Sequence, residues 1–326
     1  MHSKEIPMNS QKPFPVPVSY FSIVLGLAGL GLALRYAVRV FPGLVPAAAG
    51  EGILLLAASV WILFLAAYVV KWMCFRKEAA AEFHHLILCC FISLVPVTTM
   101  LMGMAALPYE RLAGTGLIGA GILGQLAFSA YRAAGVWRGT HEESATTPVM
   151  YLPAVAGSFV SASALGALGS TDWGMIFFGM GLFSWISLEP AILRRLRNLG
   201  PVPEPLRPVL GIQLAPPFVG ASAYLANNGG EWDILAKLLV GYGLLQLLYL
   251  LRLLPWISEN GFSVSFWAFS FGLASMAGVS LKLYESTGGV GIGTIAIPLF
   301  LFASVCIGLL ILGTIWLIAR GKFFIR

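Results

Sequence analysis

The sequence predicts an all-α integral membrane protein of ten transmembrane helices, paired as five helical hairpins. Three observations carry that prediction. Of the 326 residues, 58% are hydrophobic and only 10% are charged, whereas a soluble globular protein carries about 25% charged residues. So few charges cannot cover a water-facing surface, and much of the surface must face lipid. Apolar stretches of spanning length recur from end to end, which fits one membrane domain (18–319) between a cytoplasmic N-terminal segment (1–17) and a cytoplasmic C-terminal tail (320–326). Lys and Arg, finally, divide unequally between alternate loops.

A span needs about 20 apolar residues. On that criterion the spans lie near 18–38, 51–71, 86–107, 113–135, 149–170, 173–193, 207–227, 233–254, 261–283 and 291–319. Pro17, Pro148 and Pro208 stand near first turns, where a missing N–H is harmless. Asn227-Asn228, Gly229-Gly230 and Gly288-Gly289 mark turns. The first stretch follows the polar, Pro-rich Met1 to Pro17 and is long enough to span, so no cleavable signal peptide is expected.

The charges test this count. The termini and even-numbered loops hold 15 of the 20 basic residues, among them Lys4, Lys12, Lys71, Arg132, Arg194, Arg195, Arg197, Arg252 and Arg326. The other side holds 5: Arg35, Arg39, Arg111, Lys237 and Lys282. Basic residues stay on the cytoplasmic side, so both termini are expected there. The net charge of +6 is spread over segment ends with no basic run, which speaks for topology and against nucleic acid. Cys74, Cys89, Cys90 and Cys306 have no zinc or disulfide spacing. No metal or cofactor is expected.

Odd and even spans differ. The odd ones pair a Pro or aromatic with a run of small residues, as in SLVPVTTMLMGMAA, YLPAVAGSFVSASALGALG and FWAFSFGLASMAGVS. The even ones are bulkier, as in GILLLAASVWILFLAAYVV. This reads as five repeats of one inner and one outer helix, since small residues let helices approach closely or leave space open. Pro96, Pro153, Pro216 and Pro217 lie inside spans, where they free backbone groups that only protein or a wet cavity can satisfy.

No Asp, Glu, Lys, Arg or His falls at the middle of a predicted span; Glu189, Lys237 and Lys282 sit near span ends. Proton-coupled carriers usually need a buried titratable relay, and enzymes a general acid, base or nucleophile. Neither is expected inside this domain. His84 and His85 form a surface pair. Gly114-Thr-Gly116-Leu-Ile-Gly119 matches a dinucleotide fingerprint by letter, but opens a span and follows no strand. What remains inside are hydroxyls on odd spans: Ser22, Thr98, Thr99, Ser158, Ser161, Ser163, Ser222, Ser270 and Ser275. They serve helix–helix hydrogen bonds, or together line a polar pore without net charge, which favours anions through N–H groups and positive helix ends.

Long segments of this chain, including SVWILF (59–64), LVPVTTML (94–101), YLPAVAGSFVSASALGALG (151–169), LAKLLVGYGLLQLLYLLRLLPWI (235–257) and FWAFSFGLASMA (266–277), resemble the TehA / C4-dicarboxylate (malic acid) transporter and plant slow-type anion channel family. The resemblance implies ten helices in five hairpins about a central pore lined by the odd-numbered helices, in a homotrimer within the bacterial inner membrane. It implies permeation by small inorganic or organic anions and an association with tellurite resistance. A phenylalanine of the ninth helix plugs the pore in that family; by the segment FWAFSFGLASMA it corresponds to Phe271, with Phe269 the alternative. These two stand about 200° apart around a helix, so one alone can face the axis. The expected pore-lining residues are Ser22, Pro96, Thr98, Pro153, Ser158, Pro216, Pro217 and Gly272. Two functions follow: an anion-permeable channel with a phenylalanine-gated neutral pore, or a coupled carrier of C4-dicarboxylates or related anions.

The charge asymmetry generates a topology test. With native cysteines replaced, single cysteines at Met1, Arg197 and Arg326 should label from the cytoplasmic side, and at Asn228 and Gly289 from the other. Opposite labelling of the two termini refutes ten spans.

Overall fold

The computed structural model describes residues 14–139 and 141–324. Lys4, Lys12 and Arg326 of the charge count fall outside these. Among the described residues all regular structure is helical. The helices are α1 (Val18–Val40), α2 (Ala47–Cys74), α3 (Leu88–Ala106), α4 (Arg111–Val136), α5 (Pro148–Ala167), α6 (Thr171–Asn198), α7 (204–225), α8 (Ile234–Ile257), α9 (Val264–Thr287) and α10 (Gly291–Ala319). A short helix, Arg76–His84, lies between α2 and α3. Among the described residues, nine of these helices, all but α7, are long and apolar enough to cross a membrane. The stretch expected as the seventh span is a 3-10 segment, Glu204–Leu214, continued by the α-helix Ala215–Leu225.

Burial separates two classes. Over the most apolar 18 residues of each helix, 61–67% are buried in α1, α3, α5 and α9, and only 17–39% in α2, α4, α6, α8 and α10. α7 is buried over 208–225 except at the half-buried Ser222. Small residues on the odd helices admit close neighbours, and the bulky even helices take the outer positions.

The odd helices share a second feature. Each opens with a 3-10 or π segment: Val18–Tyr20, Leu88–Ser93, Pro148–Met150 with Leu152–Ala156, Glu204–Leu214 and Val264–Phe269. Of the even helices, α10 alone does, over Gly291–Ile295. This corrects the expectation that prolines interrupt the spans. Pro96 is the third residue of the α-helix Leu94–Ala106, and Pro216 and Pro217 the second and third of Ala215–Leu225. Pro153 lies in the π segment Leu152–Ala156. A change of helix type at the opening turn absorbs the missing N–H without a mid-helix break.

Glycine sets the closest approaches. A Cβ on Gly26 of α1 would lie 2.4 Å from Ser270 Cβ of α9, and one on Gly29 2.7 Å from Ala274 Cβ. Between α3 and α4, a Cβ on Gly103 would meet the Gly114 carbonyl oxygen at 2.8 Å, and one on Gly121 the Pro96 carbonyl oxygen at 2.8 Å. Gly114 of the fingerprint-like segment is therefore a helix contact, while Gly116 and Gly119 face open space. At the far end of α9, Gly288 ends the helix with φ 61° and its N–H bonds the Tyr284 carbonyl, the left-handed cap that glycine tolerates.

One end of the bundle is tied by polar contacts. Glu82 of the short helix accepts the Val18 N–H at 3.0 Å and pairs with Lys71 at 2.8 Å, both side chains buried. Glu78 accepts the Phe14 N–H at 2.8 Å. The Tyr20 hydroxyl donates to the Phe323 carbonyl at 2.5 Å, with the two rings 5.0 Å apart. The start of α1, the end of α2 and the chain beyond α10 thus share one face.

The glycine contacts predict a position-specific stability pattern. Gly121→Val should lower stability in detergent by ~1–3 kcal/mol through overpacking, whereas Gly119→Val, into open space, should cost far less. Equal melting of both variants would show that the α3–α4 contact is not tight.

Candidate functional site

Two cavities lie in series along the bundle axis, and every wall residue comes from an odd helix. Each helix presents one face. On α1 that face is Ser22, Leu25, Gly29, Ala33 and Tyr36; on α5 it is Leu152, Val155, Phe159 and Ser163; on α9 it is Phe271, Ala274, Ser275, Gly278 and Lys282. Steps of three and four keep side chains on one stripe of a helix, so five stripes close a tube.

The cavity at the opening ends of the odd helices holds about 30 Å³, room for on the order of two waters. Its walls are aromatic and aliphatic, including Phe91, Phe159, Trp267 and Phe271, with Ser22 and Tyr151 the hydroxyl-bearing residues. The second cavity holds about 240 Å³ and carries Ser163, Ser222, Ser275, Tyr36 and Lys282. Phe271 and Val219 line both cavities. Phe271, 7% exposed, lies where the two cavities meet, and a Cβ on Gly29 would lie 3.7 Å from its Cδ2.

Phe269 points elsewhere. Its ring covers Gly211 of α7, where an added Cβ would meet Cδ2 at 2.3 Å. It stacks on Phe266 at 6.2 Å.

The remaining candidates divide. Ser22 and Pro216 line the smaller cavity. Pro96 packs on α4, 3.3 Å from where a Gly124 Cβ would be. The Pro153 carbonyl accepts the Gln125 amide. Thr98 bonds back to the Leu94 carbonyl at 2.7 Å. A Cβ on Gly272 would lie 2.7 Å from Leu214 Cβ. Ser158 and Pro217 are buried outside both cavity walls. None of these six expected lining positions borders either cavity. Pro153, Pro217 and Gly272 each follow a lining residue directly, and one step turns a side chain about 100° off the stripe. His85 accepts the Ile87 and Leu88 N–H groups at 3.1 and 3.2 Å, ahead of α3.

Two ionisable groups depart from the expected neutral interior. Lys282 lies on the wall of the larger cavity; the stripe from Phe271 through Ala274, Ser275 and Gly278 leads to it at the eleventh step, a signal present in the sequence. Glu189 lies deep in α6, which runs on to Asn198 beyond the predicted end at 193. Its Oε2 accepts Tyr151 at 2.5 Å and Trp185 Nε1 at 2.7 Å; its Oε1 accepts Tyr242 at 2.6 Å and Gln246 at 3.3 Å. Four neutral donors from α5, α6 and α8 hold the carboxylate, which satisfies a charge that an apolar setting otherwise disfavours. Tyr151 joins this cluster to the smaller cavity. No single line of sequence shows it, because the donors come from three helices.

Residues 15–315 match the SLAC1 family, described as a voltage-dependent anion channel. The chain is 46% identical over 320 residues to the tellurite resistance protein TehA homolog of Haemophilus influenzae, covering 98% of this chain and 96% of that protein. It is 22% identical over 242 residues to the S-type anion channel SLAH2 of Arabidopsis thaliana, covering 73% of this chain and 45% of that one.

The carboxylate cluster generates a stability prediction. Glu189→Leu removes the acceptor of the buried Tyr151 and Trp185 donors and of the half-buried Tyr242, and should lower stability by roughly 3 kcal/mol, while Glu189→Gln, which keeps one acceptor, should lose less. Thermal unfolding of purified protein checks this; a Leu variant as stable as its parent removes the cluster from the fold's supports.

Proposed function

The chain belongs to the SLAC1 voltage-dependent anion channel family, and from that premise we propose that it is an anion-permeable membrane channel whose pore runs along the odd-helix axis and is closed by the Phe271 ring. The observation that carries this reading is the ring's position between two cavities walled only by odd helices. A phenyl group across a narrow apolar neck blocks ions sterically and by excluding water. Transport here is permeation and not catalysis.

The same proposal takes α7 as a tenth crossing and 18–319 as a single membrane domain. The Tyr20–Phe323 contact supports it, since an even number of crossings returns the chain to the face it started from. Both termini are then cytoplasmic, by the basic asymmetry, in a bacterial inner membrane. The tube closes within one chain, which supports one pore per protomer of a homotrimer. The link to tellurite resistance extends to this chain the name of its Haemophilus influenzae relative.

One observation favours a second reading, a coupled carrier of C4-dicarboxylates or related anions. Glu189 is an intramembrane acid that touches the smaller cavity through Tyr151, and such acids serve proton relays in carriers. Planar-bilayer recording separates the two: unitary current steps belong to a channel, and saturable flux without steps to a carrier.

The plug generates a mutational test opposite in sign to a packing role. Phe→Ala at a packing site costs about 3–5 kcal/mol and reduces function. Phe271→Ala should instead raise anion current more than about tenfold, a barrier lowered by ~1.4 kcal/mol, with native mass still that of the trimer and anions still preferred over cations. Phe269→Ala should not raise current. A Phe271→Ala protein that folds normally and conducts no better than its parent refutes the gate.

A further inference from the structure

We infer that Lys282, with the hydroxyls of Ser222 and Ser275, forms an anion-binding station in the larger cavity that selects small monovalent anions over dianions; the inference rests on the channel reading above. All three residues line that cavity, and no acidic residue does. Among the described residues, no carboxylate lies within 4.0 Å of the Lys282 ammonium. The nearby acid on its own helix, Glu285, is taken: Arg39 pairs with it at 3.1 Å, and the Tyr36 hydroxyl donates to it. Arg39 and Glu285 cancel, and one uncompensated positive charge faces the cavity. Ser163 spends its hydroxyl on the Phe159 carbonyl at 3.1 Å. Ser222 and Ser275 make no such bond among the described residues, so their O–H groups are available to an anion.

The station runs away from the plug. Ser275 follows Phe271 by four residues, about 6 Å along the helix axis, and Lys282 by eleven, about 16 Å. An anion beside the ammonium does not meet the ring. One charge and two hydroxyls against walls of Gly, Ala, Leu, Met and Val compensate a single negative charge. A dianion would leave its second charge without a partner in an apolar setting, which is strongly disfavoured. A cation at the mouth of a low-dielectric cavity also raises the local anion concentration, and rates scale with it.

The test uses the conducting Phe271→Ala background and varies chloride. At about 10 mM salt the Debye length is ~30 Å, and at about 1 M it is ~3 Å. Adding Lys282→Gln should lower conductance on the order of three- to tenfold at the low concentration and leave it unchanged at the high one. Lys282→Arg should keep the parent's concentration dependence. Lys282→Gln with parental conductance at low salt overturns the station. A second measurement does not depend on conduction: crystals of the unsubstituted protein soaked in bromide should show an anomalous peak within hydrogen-bond reach of Lys282 Nζ. Its absence also overturns the station. A Phe271→Ala parent that never conducts, with bromide bound at Lys282, rejects the channel reading and keeps the site.

Discussion

The close approach of α1 to α9 is the contact on which the rest of the structure depends. Gly26 meets Ser270 and Gly29 meets Ala274 with no room for a further carbon. That crossing brings the Phe271 ring beside Gly29. Larger residues at Gly26 or Gly29 would part the helices and move Phe271 away from Gly29. The same device recurs where Gly103 and Gly121 seat α3 on α4. In lipid there is no hydrophobic drive between helices, so close packing of small residues must hold them. Here that packing also sets how wide the axial tube is.

A tube of this kind imposes a division of labour. Backbone groups must be satisfied inside each helix, so side-chain faces alone build the walls. Small and aliphatic faces turn inward, and large apolar side chains such as Leu63, Phe183 and Leu248 are left exposed on the outside. The polar work falls to the two ends. At one end Glu82, Lys71, Tyr20 and Phe323 tie the chain's beginning to its close. At the other, Arg39, Tyr36 and Glu285 join α1 to α9, next to the single charge that faces the larger cavity.

Glu189 and Lys282 illustrate opposite treatments of an ionisable group at membrane depth. The carboxylate is enclosed by four donors on α5, α6 and α8, so it acts as a joint between outer and inner helices. The ammonium has no comparable cage and stands on a cavity wall. One charge is consumed by the fold, and the other is left on a cavity wall.

The sequence by itself determined that this chain is a helical membrane protein and which helices are inner and which outer; the choice of Phe271 over Phe269 came from the family resemblance. Composition and alternation are local properties, and lipid leaves helices as the only outlet for them. Only the tertiary structure decided which side chains share a wall. Pro96, Thr98, Pro153, Ser158, Pro217 and Gly272 carry the small or helix-disturbing character of a lining residue, yet they contact neighbouring helices or lie buried off the axis. Ser22 and Pro216 carry the same character and lie on the wall. The difference is the rotation of each helix about its own axis, where about 100° per residue separates wall from contact. Neighbouring helices set that rotation through close contacts such as Gly29 to Ala274, Gly211 to Phe269 and Gly272 to Leu214, and those pairs lie far apart along the chain or are joined only through the fold.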